Sequence, residues 1–330
     1  MTTTIDGVLV QWGDRLFYPP SRTSKATPLP RLDALTGRRA AAIRARIAAT
    51  VTRRAPQVMV KVTGGGRGMG AIAAHFRYIS KNGRLQIEDD RGLTREGREA
   101  LHDLVEQWRY GGSLIGEVSH RREAFNIMLS MPAGTRPEFV QQAAREFAKV
   151  ELRGHRWVMV LHDHQANPHV HLSVRAESMT GERLNPRKAD LHRWRETFAE
   201  KLRRLGIDAE ATRQATRGEI RRGEALWELK AKEEGRLRAS GAAAGKGRTI
   251  GRDGAVEAWA HIMKALAASD SVADRQLAEG IRDFLLQSPY VKEIFRPDRP
   301  QRVASMERPA MERAPQPAVT RRRPDPEIER

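Results

Sequence analysis

An α+β domain, with an antiparallel sheet and helices packed on it, is the fold that this sequence predicts. Two observations carry that expectation. Between residues 57 and 205, apolar runs of strand length mix with longer segments of helical period, in the order strand, helix, helix, strand, helix, hairpin, helix. The hairpin is marked by Gln165-Ala166-Asn167-Pro168, a connecting turn between two runs that both read as strand.

Taken in order, residues 1–56 read as a flexible basic arm. Pro19-Pro20-Ser21 and the Pro-, Thr- and base-rich residues 24–38 argue against regular structure, and the Ala/Arg-rich residues 39–51 suit a short basic helix. Residues 58–62 form a strand candidate, ended by Thr63-Gly64-Gly65-Gly66. A helix over 69–81 closes at Asn82-Gly83, and a second over 94–110 ends in Gly111-Gly112. Residues 124–131 alternate as a strand. Residues 137–150 are helical, with Phe139, Val140, Ala143 and Phe147 on one side. The hairpin strands start at Trp157 and His169, the second running to about Ala176. The helix over 189–205 is the clearest, with Leu191, Trp194, Phe198, Leu202 and Leu205 at steps of three and four, and Gly206 stops it. Beyond Arg213 the chain changes character. A charged helix over 217–240, an Ala/Gly-rich hinge at 241–246 and a helical pair over 255–268 and 273–286 lead to a Pro- and Arg-rich tail that reads as disordered. The domain division is 1–56 arm, 57–222 core domain, 223–295 charged helical region and 296–330 tail.

The 330 residues carry 59 Lys+Arg against 41 Asp+Glu, a net charge of +18. A charge of that size draws polyanions, and nucleic acid is the leading partner. An anionic membrane surface is second, because no basic helix carries a wide face of Trp, Phe and Leu. No apolar stretch has the length to span a bilayer, so no membrane insertion is expected. The start of the chain lacks the basic and apolar regions of a signal peptide. With no cysteine, disulfides and thiolate metal sites are excluded, and a cytoplasmic location is expected.

Four of the ten histidines fall between residues 162 and 171. His169-Val170-His171 sets two imidazoles on one face of a strand, since side chains alternate with period two. The hairpin brings His162 beside them. Three imidazoles on a sheet, open on one side, are a familiar ligand set for a divalent first-row metal that leaves positions for water or substrate. The plain alternative is a group of satisfied surface histidines. With a basic chain, such a metal points to a phosphodiester, where it would act as a Lewis acid.

Only four tyrosines occur. In the first core helix Met69, Ile72, Phe76 and Ile79 form the apolar stripe, and at about 100° per residue Tyr78 points roughly 140° away from it. It shares its face with Arg67, Ala71 and Ala74, which leaves room for a nucleic-acid strand. An ordinary exposed tyrosine fits the same geometry. The turn Thr63-Gly64-Gly65-Gly66-Arg67-Gly68 either presents amides to a phosphate or is a flexible strand-to-helix connection, and it lacks the nucleotide-loop ending. Glu88-Asp89-Asp90 either assists a metal or is a solvated acidic loop.

These segments resemble plasmid relaxases (mobilization nucleases) of the HUH endonuclease superfamily. Residues 58–84, VMVKVTGGGRGMGAIAAHFRYISKNGR, look like their first motif, and are most similar to the branch with the T-DNA border-nicking relaxase. Leu129-Ser130-Met131-Pro132-Ala133-Gly134-Thr135 looks like the second motif, and residues 162–171 like the third. The resemblance covers roughly residues 57–222. It implies a central five-stranded antiparallel sheet, Tyr78 as nucleophile, and His162, His169 and His171 as ligands of a divalent metal (Mg or Mn, with Zn, Co or Ni as further candidates). DNA contacts are expected from Arg67, Arg77, Lys81 and Ser130. One departure is that the acidic residue usual two positions after the first motif-three histidine is His164 here. That leaves open which of His162 and His164 binds metal.

The activity implied is a site- and strand-specific nick in single-stranded DNA at an origin of transfer, leaving a 5′-phosphotyrosyl adduct. Relaxosome accessory proteins, a type IV secretion coupling protein and export to a recipient cell on the DNA are implied with it. Two alternatives stand beside this expectation, a metal-dependent nuclease using metal-bound water and a nicking-defective DNA-binding protein.

Overall fold

A computed structural model describes residues 4–18, 34–212, 215–219 and 246–294. An open antiparallel sheet organises it, with strands β1 (Met59–Gly64), β2 (Ile87–Asp89), β3 (Thr94–Arg95), β4 (Ala124–Ser130), β5 (Trp157–His162) and β6 (His169–Arg175). Their spatial order is β1-β4-β6-β5-β2-β3, so the expected hairpin β5–β6 lies inside the sheet. The described residues give six strands where the resemblance implied five. The short strands β2 and β3 were not expected, because three and two residues carry no readable period.

The two faces of the sheet bury different side chains. On one, Ile127, Leu129, Val170, Leu172 and Val174 pack against helices α5 (Pro137–Glu151) and α6 (Lys188–Arg204), around Phe147, Trp194 and Phe198. Phe147 meets both Trp194 and Phe198 edge-on, at centroid separations of 6.0 and 6.4 Å. On the other, Val158 and Val160 pack against helices α3 (Met69–Ile79) and α4 (Arg98–Tyr110), through Met69, Ile72, Phe76, Ile79, Leu104 and Trp108. The expected stripe of α3 is therefore its buried face, while Ala71, Ala74 and Tyr78 are exposed.

Strand β6 shows the division most clearly. Val170, Leu172 and Val174 point into the α5/α6 core, which puts His169, His171, Ser173 and Arg175 on the α3/α4 side. Buried Arg175 is satisfied by carbonyls at the end of α4, donating to Trp108 at 2.8 Å, to Gly111 at 3.0 Å and also to Ser113. The strand thus runs a polar column under α3 and α4, with histidines at one end and arginine at the other.

Three expectations are corrected. The flexible N-terminal arm does not describe residues 5–17 and 34–52. These form α1 (Ile5–Phe17) and α2 (Ala34–Ile47), the latter continuing as a π-helical turn to Thr52. Leu9, Leu16, Phe17, Ile43 and Ile47 pack with Ala258, Trp259, Ile262 and Ile281 of α7 (Lys246–Ala267) and α8 (Val272–Gln287). A core that closes only with residues about 250 positions away has no local signature. Residues 94–97 precede α4 instead of starting it, because Thr94 and Arg95 pair with β2. Of the acidic stretch at 88–90, Glu88 and Asp89 are buried and held by the protein, and Asp90 is exposed. Glu88 is ion-paired with Arg145, and Asp89 accepts from Arg91 and Arg95 and from the amides of Arg91 and Leu93, closing the β2–β3 turn. In the Gly-rich turn Gly66 N–H donates to Ala124 O, and the first amides of α3, those of Met69 and Gly70, donate to Gly116 O and Glu117 O. The helical pair over 255–268 and 273–286 corresponds to α7 and α8, followed by α9 (Pro289–Ile294). The charged helix beyond residue 219, the hinge up to residue 245 and the tail fall outside the described residues.

Phe147 is fully buried. Phe147→Ala is expected to cost about 3–5 kcal/mol, read from urea unfolding midpoints. Ala71→Ser on the exposed face should stay within about 0.5 kcal/mol.

Candidate functional site: a three-histidine cleft beside Tyr78

The backbone path explains how distant motifs meet. Met59, at the start of β1, pairs with Ser130, and Ser130 pairs with His169. Strand β1 therefore begins at the histidine end of the sheet and runs away from it. The Gly-rich turn reverses the chain, and the eleven residues of α3 travel about 16 Å back at 1.5 Å each. Its last turn, carrying Tyr78, arrives over the histidines.

Each residue of the Tyr78-Ile79-Ser80-Lys81-Asn82-Gly83 segment has a separate task there. Tyr78 is 71% exposed. Ile79 is buried, and its carbonyl accepts from His162 Nε2 at 2.7 Å. The buried Ser80 hydroxyl donates to Phe76 O at 2.7 Å and accepts from Gly83 N–H at 3.0 Å, which closes the helix. Lys81 and Asn82 adopt left-handed backbone with φ of 50° and 60°, turning both toward the cleft. At Gly83, with φ of 82°, a Cβ would sit 2.6 Å from Gly97 O, so glycine is required.

On the sheet, His162 pairs directly with His169, and His171 lies one step further along β6. The three rings are 4.6 to 5.1 Å apart between centroids, and one nitrogen from each lies within 4.8 Å of the others. A carbonyl oxygen can only accept. His162 therefore holds its hydrogen on Nε2 toward Ile79, and His169 holds its own on Nδ1 toward Asn167 O at 2.9 Å. Each keeps a lone pair on its other nitrogen. Backbone carbonyls thus fill the orienting role that the expected acidic residue would have had. His171 Nδ1 is buried without a hydrogen-bond partner among the described residues. Such a set of neutral, oriented nitrogen donors fits a divalent first-row cation.

Burial pushes the His171 imidazole down to about 3, with His162, His169 and His75 adding repulsion. Burial lowers His162 as well, against the opposing effect of the hydrogen bond it donates to Ile79 O. The His171 ring is therefore neutral at physiological pH, the form that can ligate a metal.

The expected site residues divide clearly. Tyr78, Lys81, His162, His164, His169 and His171 line one cleft of about 600 Å³, joined by Asn82, Arg84, Met128 and Gln165. The Tyr78 ring is 6.5 Å from that of His171. His164 is exposed, 5.2 Å from His162, and outside the three-nitrogen group. Arg77 is exposed on the neighbouring side of α3, lining a second groove. Arg67 precedes α3, a helix length from Tyr78, and is not part of this cleft. Ser130 is corrected as a DNA contact. It is 4% exposed, and its hydroxyl faces Pro168 O at 3.2 Å and Met131 O at 3.3 Å, tying β4 to the turn before His169.

One residue escaped the sequence. The His75 ring lies 6.3 Å from Tyr78 and 6.4 Å from His171, with Nε2 buried and unpartnered among the described residues. Desolvation lowers its pKa. Its place one turn before Tyr78 was the available signal, since i and i+3 share a helix face.

The lowered His171 value sets a pH dependence for the metal-free protein. The unfolded imidazole titrates near 6.5 and the folded one near 3. Between these values the unfolded chain binds the extra proton, so stability is complete above about 6.5 and is lost progressively as pH falls toward 3. Melting temperatures in chelator should drop across that window, and less steeply in His171→Asn. Equal slopes in both proteins would contradict the buried neutral ring.

Comparison with known proteins bears on the same stretch. No curated protein matches the chain. Residues 78–207 match the family model described as relaxase, MobA/VirD2-like, nuclease domain. The matched segment opens at Tyr78 and contains all three histidines. Residues 78–207 thus form a relaxase nuclease domain of the MobA/VirD2-like kind.

Proposed function

We propose that the protein nicks single-stranded DNA at an origin of transfer by transesterification, with Tyr78 as nucleophile. The observation that carries this is the exposed phenol of Tyr78 on the open side of the three-histidine cleft, its ring 6.5 Å from His171. The phenolic oxygen attacks phosphorus, the bond to the 3′ oxygen breaks, and a 5′-phosphotyrosyl linkage forms. The proton lost by the phenol is balanced by the one gained at the released 3′-OH. The linkage keeps its bond energy, so the 3′-OH can reverse the step.

His162, His169 and His171 would hold the divalent cation, Mg or Mn, with Zn, Co and Ni compatible with imidazole. Bound there, the cation supplies Lewis acidity toward a phosphate oxygen. Lys81 and Arg84 line the same cleft and add positive charge around the scissile linkage. His164 stands at the mouth of the cleft, exposed and clear of the ligand group. Conjugative or mobilization transfer, with accessory proteins and a type IV secretion coupling protein as partners, is the process such an adduct serves.

The test uses single-stranded oligonucleotides from the plasmid or island encoding the protein, with Mn²⁺, and looks for a denaturant-resistant protein–DNA adduct. Wild type should form it and Tyr78→Phe should not. Cleavage retained in Tyr78→Phe would instead make water the nucleophile. His169→Ala and His171→Ala should each slow the reaction at least about 100-fold, since Lewis-acid assistance contributes several kcal/mol. DNA affinity should change little, because phosphate contacts by Lys and Arg dominate it. Equal loss of binding and cleavage would assign the histidines a folding role.

A further inference from the structure

A second groove lies between α3 and α4, on the side of α3 next to the Tyr78 cleft. Its volume is about 610 Å³. Asn82 lines both depressions, so they meet at the turn that follows α3. At that end stand Arg77 and Arg98, both exposed, with no side-chain hydrogen bond or ion pair among the described residues. The floor is apolar, formed by Met69 and Leu101. The acidic residues of the groove lie further along: Arg109 is paired with Glu117 at 3.0 Å and with Glu106 at 3.5 Å. Positive charge without a partner is thus concentrated where the groove opens onto the cleft.

We propose that this groove is a second subsite for the same single strand, taking a nucleotide flanking the scissile linkage. The proposal rests on the reading of the protein as a single-strand DNA nuclease. A phosphate sits between the Arg77 and Arg98 guanidiniums, whose planar forks match its oxygens. The sugar and base lie over the apolar floor. Asn82 stands where the strand crosses from one depression to the other, with donor and acceptor both available to a base edge. The strand is held on both sides of α3's last turn, which fixes the linkage over Tyr78 and resists slippage during the attack. A duplex is too wide to enter two depressions separated by one turn of chain, so the groove selects single strands.

Binding is measured in the Tyr78→Phe protein, where no cleavage intervenes, by fluorescence anisotropy with an oligothymidylate of about twelve nucleotides. Arg98→Gln should weaken binding about fourfold at about 0.15 M salt and reduce the salt slope by about 0.7, the share of one phosphate contact in a single strand. His102→Glu, on the exposed wall of the groove, should weaken it as well. Arg204→Gln, at the exposed end of α6, is the control for net charge alone. An oligonucleotide carrying 4-thiothymidine should crosslink to α4. Affinities and slopes for Arg98→Gln and His102→Glu equal to the control, with crosslinks confined to the histidine cleft, would overturn the subsite. Neither readout depends on adduct formation, so failure here leaves the Tyr78 reading standing, and absence of an adduct leaves this measurement interpretable.

Discussion

The hydrogen bond from His162 Nε2 to Ile79 O, at 2.7 Å, is the constraint on which the site depends. It joins the last turn of a helix to the end of a central strand, 83 positions apart in sequence. The carbonyl it uses belongs to the final helical turn, where backbone acceptors have no partner within the helix. One bond therefore satisfies an orphaned acceptor, fixes an imidazole tautomer and sets the height of Tyr78 above the sheet. Ile79 is buried directly behind it, so the helix end cannot lift without exposing an apolar side chain. A short exposed phenol thereby gains a fixed base.

The sheet supplies the other half. A strand between two layers of helices usually reads as continuously apolar, yet β6 alternates His, Val, His, Leu, Ser, Val, Arg. Its apolar side fills the α5/α6 core. Its polar side is affordable only because each buried group on it finds a partner or a function. Arg175 takes the carbonyls beyond α4, Ser173 donates to Asn126 at 3.2 Å, and His169 donates to Asn167. His171 is the exception, with Nδ1 left unpartnered among the described residues. Buried polar atoms without partners are uncommon in folded proteins and concentrate where function demands them.

Much of this was legible because it was periodic. Helix α3 showed its stripe at steps of three and four, so the outward face of Tyr78 followed from arithmetic, and the histidine pair followed from the two-residue repeat of a strand. What stayed hidden was non-local. Helices α1 and α2 are amphipathic only toward α7 and α8, and the Arg- and Pro-rich stretches around them mask that pattern. Ser130 was expected at the surface only through the resemblance of residues 129–135 to a motif, and its burial depends on the turn before His169, which lies 38 positions away. His75 was invisible as a site residue because it sits within a run of small residues and completes no motif on its own. Glu88 and Asp89 read as a metal-assisting or solvated acidic stretch because their arginine partners come from elsewhere in the chain or from a turn that had no period.

The missing acidic residue of the histidine block has a physical consequence. None of the ten residues lining the cleft is an aspartate or glutamate. A carboxylate beside the histidines would strengthen a ligand imidazole, but it would also place negative charge next to an incoming phosphate. Here the orienting acceptors are carbonyls of Ile79 and Asn167, which polarise their imidazoles without carrying a formal charge. The His171 imidazole is itself neutral, by burial. Among the described residues lining the cleft, the fixed charges are then Lys81 and Arg84, both cationic. Carboxylate repulsion toward a polyanion is thus absent among the described residues of the cleft, where the proposed reaction needs the closest approach. The net +18 of the chain draws DNA from a distance. In the proposed reaction, the acid-free cleft is what would let the scissile linkage complete that approach.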